Sequence, residues 1–395
     1  MGRGEGEVKR KLEDWLDGYI DYTSEQESPS LFHLWVGLSM ISSALGRKVW
    51  VDRGYYKLYP NLYVVLVGAS ARVRRTTAVN IGYNLFREAL PEYLLVSQKT
   101  TPEALINIFV QEGKKKGISG GTIVSTELGV FLGTGGKSGD IIQLLTDWYD
   151  CPETFTYHTL MRGKERLERV YCVLVGSTTP IWLKESMPPS AIGGGFTSRV
   201  VFVYQSKPEK LVPFPRVSNG MRRLREKLIG DLKVIASLDG EFRLDEDAVD
   251  WYERWYTEVF KPDFIPNASL DGYYGRKHDT LLKVAMCVSA SRKDSLCIDE
   301  GDLKVALKCL NSAERYLPQT VKLIQMKEVG EEEEKVFRLI ERKGEVDYSN
   351  LLRGVSYCMN AKRVQEVIET LLEEERIEEF IREGKRWYKV KGGGR

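Results

Sequence analysis

The sequence predicts an α/β protein with a mainly parallel sheet, followed by a helical region and a small C-terminal unit. Short apolar runs alternate with helical stretches between residues 62 and 204. Strands that are separated by helices favour a parallel sheet, because each crossover needs a long connection. From residue 216 to 327 apolar residues recur at helical spacing instead. After residue 335 the order changes to two helical segments and two strands, which indicates a separate unit.

The first half of the chain contains all the strands expected in the sheet. In the N-terminal segment Leu12, Trp15, Leu16 and Tyr19 have helical spacing. The helices expected up to residue 149 cover 7–20, 31–45, 76–90, 102–116 and 140–149. The expected strands are 48–52, 62–67, 94–97, 122–125, 170–177 and 199–204, and they are rich in Val, Leu, Ile and Tyr. Gly46 and Pro91 follow two of the helices, and residues of these types end helices.

The second half is expected to be helical up to the C-terminal unit. The predicted helices lie near 219–237, 246–260, 275–291 and 300–327. The acidic run EVGEEEE at 328–334 then marks a boundary. We therefore divide the chain into an N-terminal helical segment, an α/β core, a helical lid and a C-terminal unit. These four parts cover 1–46, 47–215, 216–327 and 328–395.

Composition limits the class of protein. A chain of 395 residues has room for two or three domains, and 42% hydrophobic residues can supply a core. The formal net charge is only +2, so any nucleic-acid binding must come from local basic patches. The first residues lack the apolar core of a signal peptide, and no long apolar run predicts a membrane span. The cysteines form no CxxC pair, so we expect reduced thiols, no zinc site and a cytoplasmic protein.

The segment LYVVLVGASARVRRTTAVN at 62–80 is an apolar strand that leads through a turn into a helix. The phosphate-loop pattern is G-x-x-x-x-G-K-[ST]. Counted from Gly68, it fails, but one extra loop residue places Arg75 at the lysine position and Thr76 at the hydroxyl position. Ala71 and Val73 stand near the places where glycines usually allow positive φ. The alternative interpretation is a basic strand–turn–helix that binds no ligand.

The chemistry of this turn favours a nucleotide. Backbone N–H groups at a helix N-terminus attract anions, and arginine side chains suit phosphate oxygens. We expect Thr76 to bind Mg²⁺ through its hydroxyl group. The predicted ATP-binding residues are Gly68, Ser70, Arg74, Arg75, Thr76 and Thr77.

Five later residues are candidates for catalysis. Glu127 follows the strand at 122–125 and could act as the catalytic base, although an ordinary exposed glutamate would look the same. Thr178 and Thr179 follow the predicted strand at 170–177 and could position water, or they could serve a turn. Arg199 begins a strand after a glycine run, and Arg276 lies near the start of a helix.

The order of these segments, with SRVVFV at 198–203 and GRKHDTLLKVAMCVSA at 275–290, resembles that of AAA+ ATPases. The chain is most similar to MCM-like replicative helicases of mobile elements, viruses and plasmids. The resemblance implies that Glu127 is the base, Thr179 a sensor, Arg199 an arginine finger that acts across subunits and Arg276 a second sensor. It also implies a ring, most commonly a hexamer, that uses ATP and Mg²⁺.

Two segments are candidates for binding DNA. Residues 153–172 look like a β-hairpin with Arg162 and Lys164 near its tip and Arg166 behind them. In the resembling helicases a hairpin at this place grips the DNA backbone in the ring's pore. A solvated basic hairpin is the equally weighted alternative.

The C-terminal order of elements is typical of a winged helix-turn-helix, which contacts DNA through one helix and its wing. The candidate residues are Lys362, Arg363, Lys385 and Arg386, and we expect contacts with phosphates more than with bases. A protein–protein module of the same fold remains an open alternative.

The predicted function is therefore an ATP-dependent DNA helicase or translocase. A ring that binds DNA or acts as a scaffold without hydrolysing ATP is the main alternative, because the phosphate loop departs from the usual pattern. A nucleotide-regulated transcription factor is a third, weaker interpretation.

Overall fold

The computed structural model describes residues 9–97, 99–132, 138–159, 163–186, 191, 195–260, 271–316, 332–356 and 359–391. The chain divides into two units, Met1–Val321 and Lys322–Arg395. The finer division into four parts stays a prediction.

The first unit contains eleven strands within its described residues. In chain order they are β1 (Val49–Asp52), β2 (Lys57–Leu58), β3 (Tyr63–Gly68), β4 (Leu95–Val96), β5 (Gly120–Ser125), β6 (Thr154–Thr159), β7 (Gly163–Glu168), β8 (Tyr171–Thr178), β9 (Val200–Gln205), β10 (Gly240–Leu244) and β11 (Cys297–Ile298). Five of them form a parallel sheet in the order β4-β5-β8-β3-β9, which confirms the predicted parallel α/β sheet. Strands β3 and β8 lie inside this sheet and are buried along their whole length, as expected where both faces are covered.

The helices of this unit surround the sheet. They are α1 (Trp15–Tyr22), α2 (Ser30–Leu45), α3 (Arg75–Ala89), α4 (Pro102–Lys116), α5 (Leu128–Leu132), α6 (Ser138–Tyr149), α7 (Pro180–Ser186), α8 (Asn219–Ser237), α9 (Glu246–Arg254), α10 (Asp271–Arg292) and α11 (Glu300–Glu314). Helix α2 is buried on nearly all sides, which explains why its sequence is apolar without a polar stripe. Its side chains belong to one continuous core with those of the sheet and of α8, α10 and α11.

Two predictions about helices were wrong in detail. The first helix begins at Trp15, because Asp14 caps it by accepting hydrogen bonds from the backbone of Leu16 and Asp17. Leu12 therefore precedes the helix, and the buried Asp231 accepts hydrogen bonds from its backbone N–H and from that of Lys11. The predicted helix at 246–260 ends as an α-helix at Arg254 and continues as one π-helical turn.

The region from 216 to 327 is not purely helical, contrary to the prediction. Strands β10 and β11 lie in it, and β10 pairs in parallel with β1. Together with β2 they form a second sheet in the order β11-β10-β1-β2. In β10 only Phe242 is buried, so the strand carries little of the apolar signal by which strands are recognised.

Within its described residues, the second unit contains three helices and a small antiparallel sheet. Its elements are α12 (332–343), β12 (Glu345–Asp347), α13 (Tyr348–Val355), α14 (Ala361–Glu373), β13 (Ile377–Arg382) and β14 (Lys385–Val390). The strand order is β12-β14-β13. Strands β13 and β14 are joined by Glu383 and Gly384, both with positive φ, as in the tight turns that match the twist of a hairpin. The unit has its own core, which includes Ile340, Val364 and the buried Tyr388.

Candidate functional site

The predicted phosphate loop lies at the carboxyl end of β3, between Gly68 and the start of α3. A Cβ atom on Gly68 would lie 2.4 Å from Val73 Cγ2 and 2.7 Å from the carbonyl oxygen of Gln205, so only glycine fits there. Ala71 has φ of 60° and Arg74 has φ of 46°. The second left-handed residue is thus Arg74 and not Val73. Position 74 is also where the second glycine of the pattern falls when one extra loop residue is allowed.

Arg75 is the first residue of α3 and is 6% exposed. Its Nη1 atom has no hydrogen-bond partner among the described residues. Burial lowers the pKa of Arg75, and the negative charge of Glu127 acts in the opposite direction. A buried guanidinium nitrogen without a hydrogen bond is costly, so its presence at a helix N-terminus favours an anionic ligand.

The three arginines of the loop have different surroundings. Arg74 Nε lies 2.8 Å from Glu27 Oε2, and this hydrogen bond lowers the pKa of Glu27. Ser28 Oγ donates to the carbonyl oxygen of Arg74 at 3.0 Å, so the connection between α1 and α2 holds the loop. Arg72 is exposed, as are the candidates Ser70, Thr76 and Thr77. The side chain of Arg74 therefore points to Glu27, and Arg75 is the better candidate for a phosphate.

The ends of β5 and β8 bring the other candidates of this edge together. A cavity of about 360 Å³ is lined by Glu127, Thr178, Thr179, Lys99 and Trp182, among others. Glu127 is exposed, whereas Thr178 is buried. Thr179 Oγ1 accepts a hydrogen bond from the backbone N–H of Trp182 at 3.1 Å, so it caps α7. This contact agrees with the turn role that was the alternative for Thr179.

Sequence reasoning missed Lys99 and Trp182 as part of this edge. Lys99 follows β4, and the rule that carboxyl ends of parallel strands meet at one edge could have identified it. Trp182 lies so close to Gly129 that a Cβ atom there would be 2.2 Å from Trp182 Nε1. No local sequence pattern announces that contact.

Arg199 lies at the opposite, amino edge of the sheet. Val200 pairs with Tyr63, whereas Gln205 pairs with Gly68, so about five residues or about 16 Å of strand separate Arg199 from the phosphate loop. Arg199 Nη2 lies 3.0 Å from Asp150 Oδ2, and Nη1 donates to the carbonyl oxygen of Gly195 at 2.9 Å. Its buried Nε has no partner among the described residues.

Arg276 is at the same edge as Arg199. Its Nη1 lies 3.4 Å from Asp150 Oδ1, so the two arginines share one carboxylate. Asp150 was not a candidate from the sequence, because the contacts join residues 49 and 126 positions apart. The structure therefore divides the predicted site into two groups at opposite edges of one sheet.

The predicted hairpin is formed by β6 and β7, which pair in antiparallel fashion from Thr154↔Glu168 to Thr159↔Gly163. Lys164 and Arg166 are exposed on one face of β7, and Arg166 forms an ion pair with Glu168. The third candidate, Arg162, lies outside the described residues.

In the second unit the four DNA-binding candidates also differ. Lys362 is exposed in the first turn of α14, and Lys385 and Arg386 are exposed at the start of β14. Arg363 forms ion pairs with Glu332 at 2.6 Å and with Glu366 at 2.9 Å. Lys362, Lys385 and Arg386 are therefore better placed than Arg363 to meet a phosphate backbone.

Comparison with known proteins does not assign the chain to a family. No protein-family model matches the chain, and no curated protein matches it significantly. Across the described ranges, no helix has the length and apolar character needed to cross a membrane.

Proposed function

We propose that the chain is an ATP-dependent DNA helicase or translocase that serves the replication of a mobile element, virus or plasmid. It would work as a ring, for which a hexamer is the expected size. The observation that carries the proposal is Arg75 at the N-terminus of α3, a buried guanidinium whose Nη1 has no hydrogen-bond partner in the part of the chain that the structure describes. Such a group at the end of a central parallel strand fits the phosphates of a nucleotide.

The residues present fit ATP and Mg²⁺ at this edge. Arg75 and the first N–H groups of α3 would hold phosphate oxygens, and Thr76 would contribute its hydroxyl to the metal ion. Bound Mg²⁺ neutralises charge on the phosphates. Glu127 is the candidate base, because it is exposed at the end of β5 and its charge acts on Arg75.

The separation of the arginines supports a ring. Arg199 and Arg276 lie at the amino edge, about 16 Å of strand away from the phosphate loop of their own chain. A phosphate that both arginines contact would therefore belong to a neighbouring copy. In this arrangement the β6–β7 hairpin and the C-terminal unit, as a winged helix, would supply the DNA contacts.

The alternative is a ring that binds nucleotide and DNA without hydrolysis. One observation favours it, since the Thr179 hydroxyl already caps α7 through the backbone of Trp182. A threonine engaged in this way has one acceptor site fewer for an attacking water, although its O–H can still donate.

The deciding experiment is steady-state ATP hydrolysis at elevated temperature, with and without single-stranded DNA. We expect DNA-stimulated turnover that falls by about 10²-fold or more in Glu127→Gln, because a general base contributes that much to a rate. Glu226→Gln, at an exposed position of α8, is the matched control and should leave the rate unchanged. Binding of ATP and DNA without turnover in the unmodified chain would support the non-hydrolysing ring. Binding of neither would exclude both.

A further inference from the structure

We propose that Asp150 is a positioning residue that holds Arg199 and Arg276 together and connects them to the base of the β6–β7 hairpin. The inference rests on the proposed function, in which the arginines act on a neighbour's nucleotide and the hairpin binds DNA. It assigns to Asp150 the task of making each site sensitive to the other.

The two arginines share one carboxylate, that of Asp150. Asp150 presents Oδ2 to Arg199 and Oδ1 to Arg276, at 3.0 Å and 3.4 Å. Arg199 ends the 3-10 turn directly before β9, and Arg276 comes from α10. Two elements that are distant in sequence are thus joined by one side chain that is itself 58% exposed, so its role is not to fill the core.

The backbone next to Asp150 is held in place by hydrogen bonds. Asn61 Nδ2 donates to the carbonyl oxygen of Tyr149 at 2.8 Å, and the buried Lys283 donates to Asn61 Oδ1 at 2.7 Å. Lys283 also lies 3.8 Å from the centre of the Tyr149 ring. Because Lys283 and Arg276 are both on α10, this helix contacts Asp150 and the residue before it.

The residues that follow Asp150 form the base of the β6–β7 hairpin and are held by Arg47. Arg47, which is 1% exposed in its side chain, donates to the carbonyl oxygens of Cys151, Pro152 and Val170 at 2.6 to 3.1 Å. It also pairs with Glu153 at 2.5 Å. These contacts fix both strands of the hairpin at its base, directly after Asp150.

A displacement of the hairpin would therefore pull on residues 150–153 and on the carboxylate between the two arginines. The reverse also holds, because a phosphate that draws Arg199 and Arg276 away from Asp150 releases a contact at the hairpin base. Coupling of this kind is reciprocal between two ligands. It requires the negative charge of Asp150, since a neutral side chain would not hold two guanidiniums.

The test measures how nucleotide changes the affinity of the full chain for DNA. A fluorescent single-stranded oligonucleotide is titrated with the protein, in the presence and absence of a non-hydrolysable ATP analogue, and anisotropy gives the dissociation constants. We expect the nucleotide to change the affinity of the unmodified chain by about 5-fold or more, a usual size for such coupling. In Asp150→Asn the ratio should fall to about 1, and Asp150→Glu should restore part of it.

Asp147→Asn is the control, because Asp147 is an exposed carboxylate one turn earlier on α6 that accepts a hydrogen bond from Gln143. It should keep the full ratio. Two results would overturn the role of Asp150 and leave the proposed function standing. One is an Asp150→Asn variant in which nucleotide still changes the affinity for DNA as it does in the unmodified chain. The other is an unmodified chain that binds both ligands but whose affinity for DNA does not change with nucleotide. An unmodified chain that binds neither ligand would overturn the proposed function, and the role of Asp150 with it.

Discussion

The two edges of the parallel sheet differ in how their arginines are paired. At the carboxyl edge Arg75 is buried, and its Nη1 has no partner among the described residues. At the amino edge Arg199 and Arg276 both contact Asp150. At the amino edge the buried Nε of Arg199 also lacks a hydrogen-bond partner among the described residues, but both guanidiniums there are already paired with a carboxylate. The first arrangement therefore favours a ligand within the chain more than the second does.

This difference has a physical basis. A buried guanidinium that lacks a hydrogen bond costs about 1–3 kcal/mol, so the carboxyl edge should gain stability when an anion binds. Arginines that already share a carboxylate gain less from a new anion, because the old contact must be broken first. The amino edge is therefore suited to a conditional contact, such as one made only in an assembly.

The largest expected effect tests whether the amino edge acts across subunits. Arg199→Ala should lower DNA-stimulated hydrolysis by about 10³-fold, the lower end for an arginine finger. Mixing Arg199→Ala chains with Glu127→Gln chains should restore part of the activity, because some interfaces then combine an intact Glu127 with a neighbour's intact Arg199. The measurement is ATP turnover as a function of the mixing ratio.

Arg222→Ala is the control for this experiment, since Arg222 is exposed on α8 and lies outside both edges. It should be fully active alone. A mixture of the two inactive variants that stays inactive at every ratio, while the chains still assemble, would place Arg199 outside the neighbour's site.

The next effect tests the carboxyl edge. Arg75→Met should weaken binding of ATP by about 10- to 100-fold, since a charge-assisted hydrogen bond contributes about 1.5–3 kcal/mol. The same change should leave the free energy of unfolding without ligand unchanged or raise it, because a buried guanidinium whose Nη1 has no hydrogen-bond partner among the described residues is replaced by an apolar chain of similar length. Calorimetric titration and urea unfolding give the two quantities. Weaker binding accompanied by a large loss of stability would mean that Arg75 has a structural role instead.

The sequence was sufficient for the parallel sheet, because alternation of strands and helices is a local signal. It also located the turn between β3 and α3 that is predicted to bind phosphate, since Gly68, the basic turn and α3 are contiguous. It was not sufficient for the second sheet, where β10 buries only Phe242 and depends on pairing with β1. Asp150 could not be identified either, because its importance arises only when residues far apart in sequence meet.

The sequence predicted the positive φ angles of the loop only in part. Ala71 was expected near a position that favours glycine, and its φ is 60°. Arg74 was predicted as a phosphate ligand; its backbone is left-handed, and its Nε lies 2.8 Å from Glu27 Oε2. The loop thus keeps the backbone of a glycine-rich turn with other residues.

The smallest expected effect tests this strain. Ala71→Gly should raise the free energy of unfolding by about 0.5–1 kcal/mol, because a left-handed conformation costs an L-residue about 1–2 kcal/mol and glycine offsets part of that gain through greater freedom in the unfolded chain. Ala104→Gly is the matched control, since Ala104 lies in the helix α4, and it should lower stability by about 0.5–1 kcal/mol. Urea unfolding measures both. Changes of the same sign in the two variants would show that Ala71 is not strained, and that the carboxyl edge differs from the amino edge only in the pairing of its arginines.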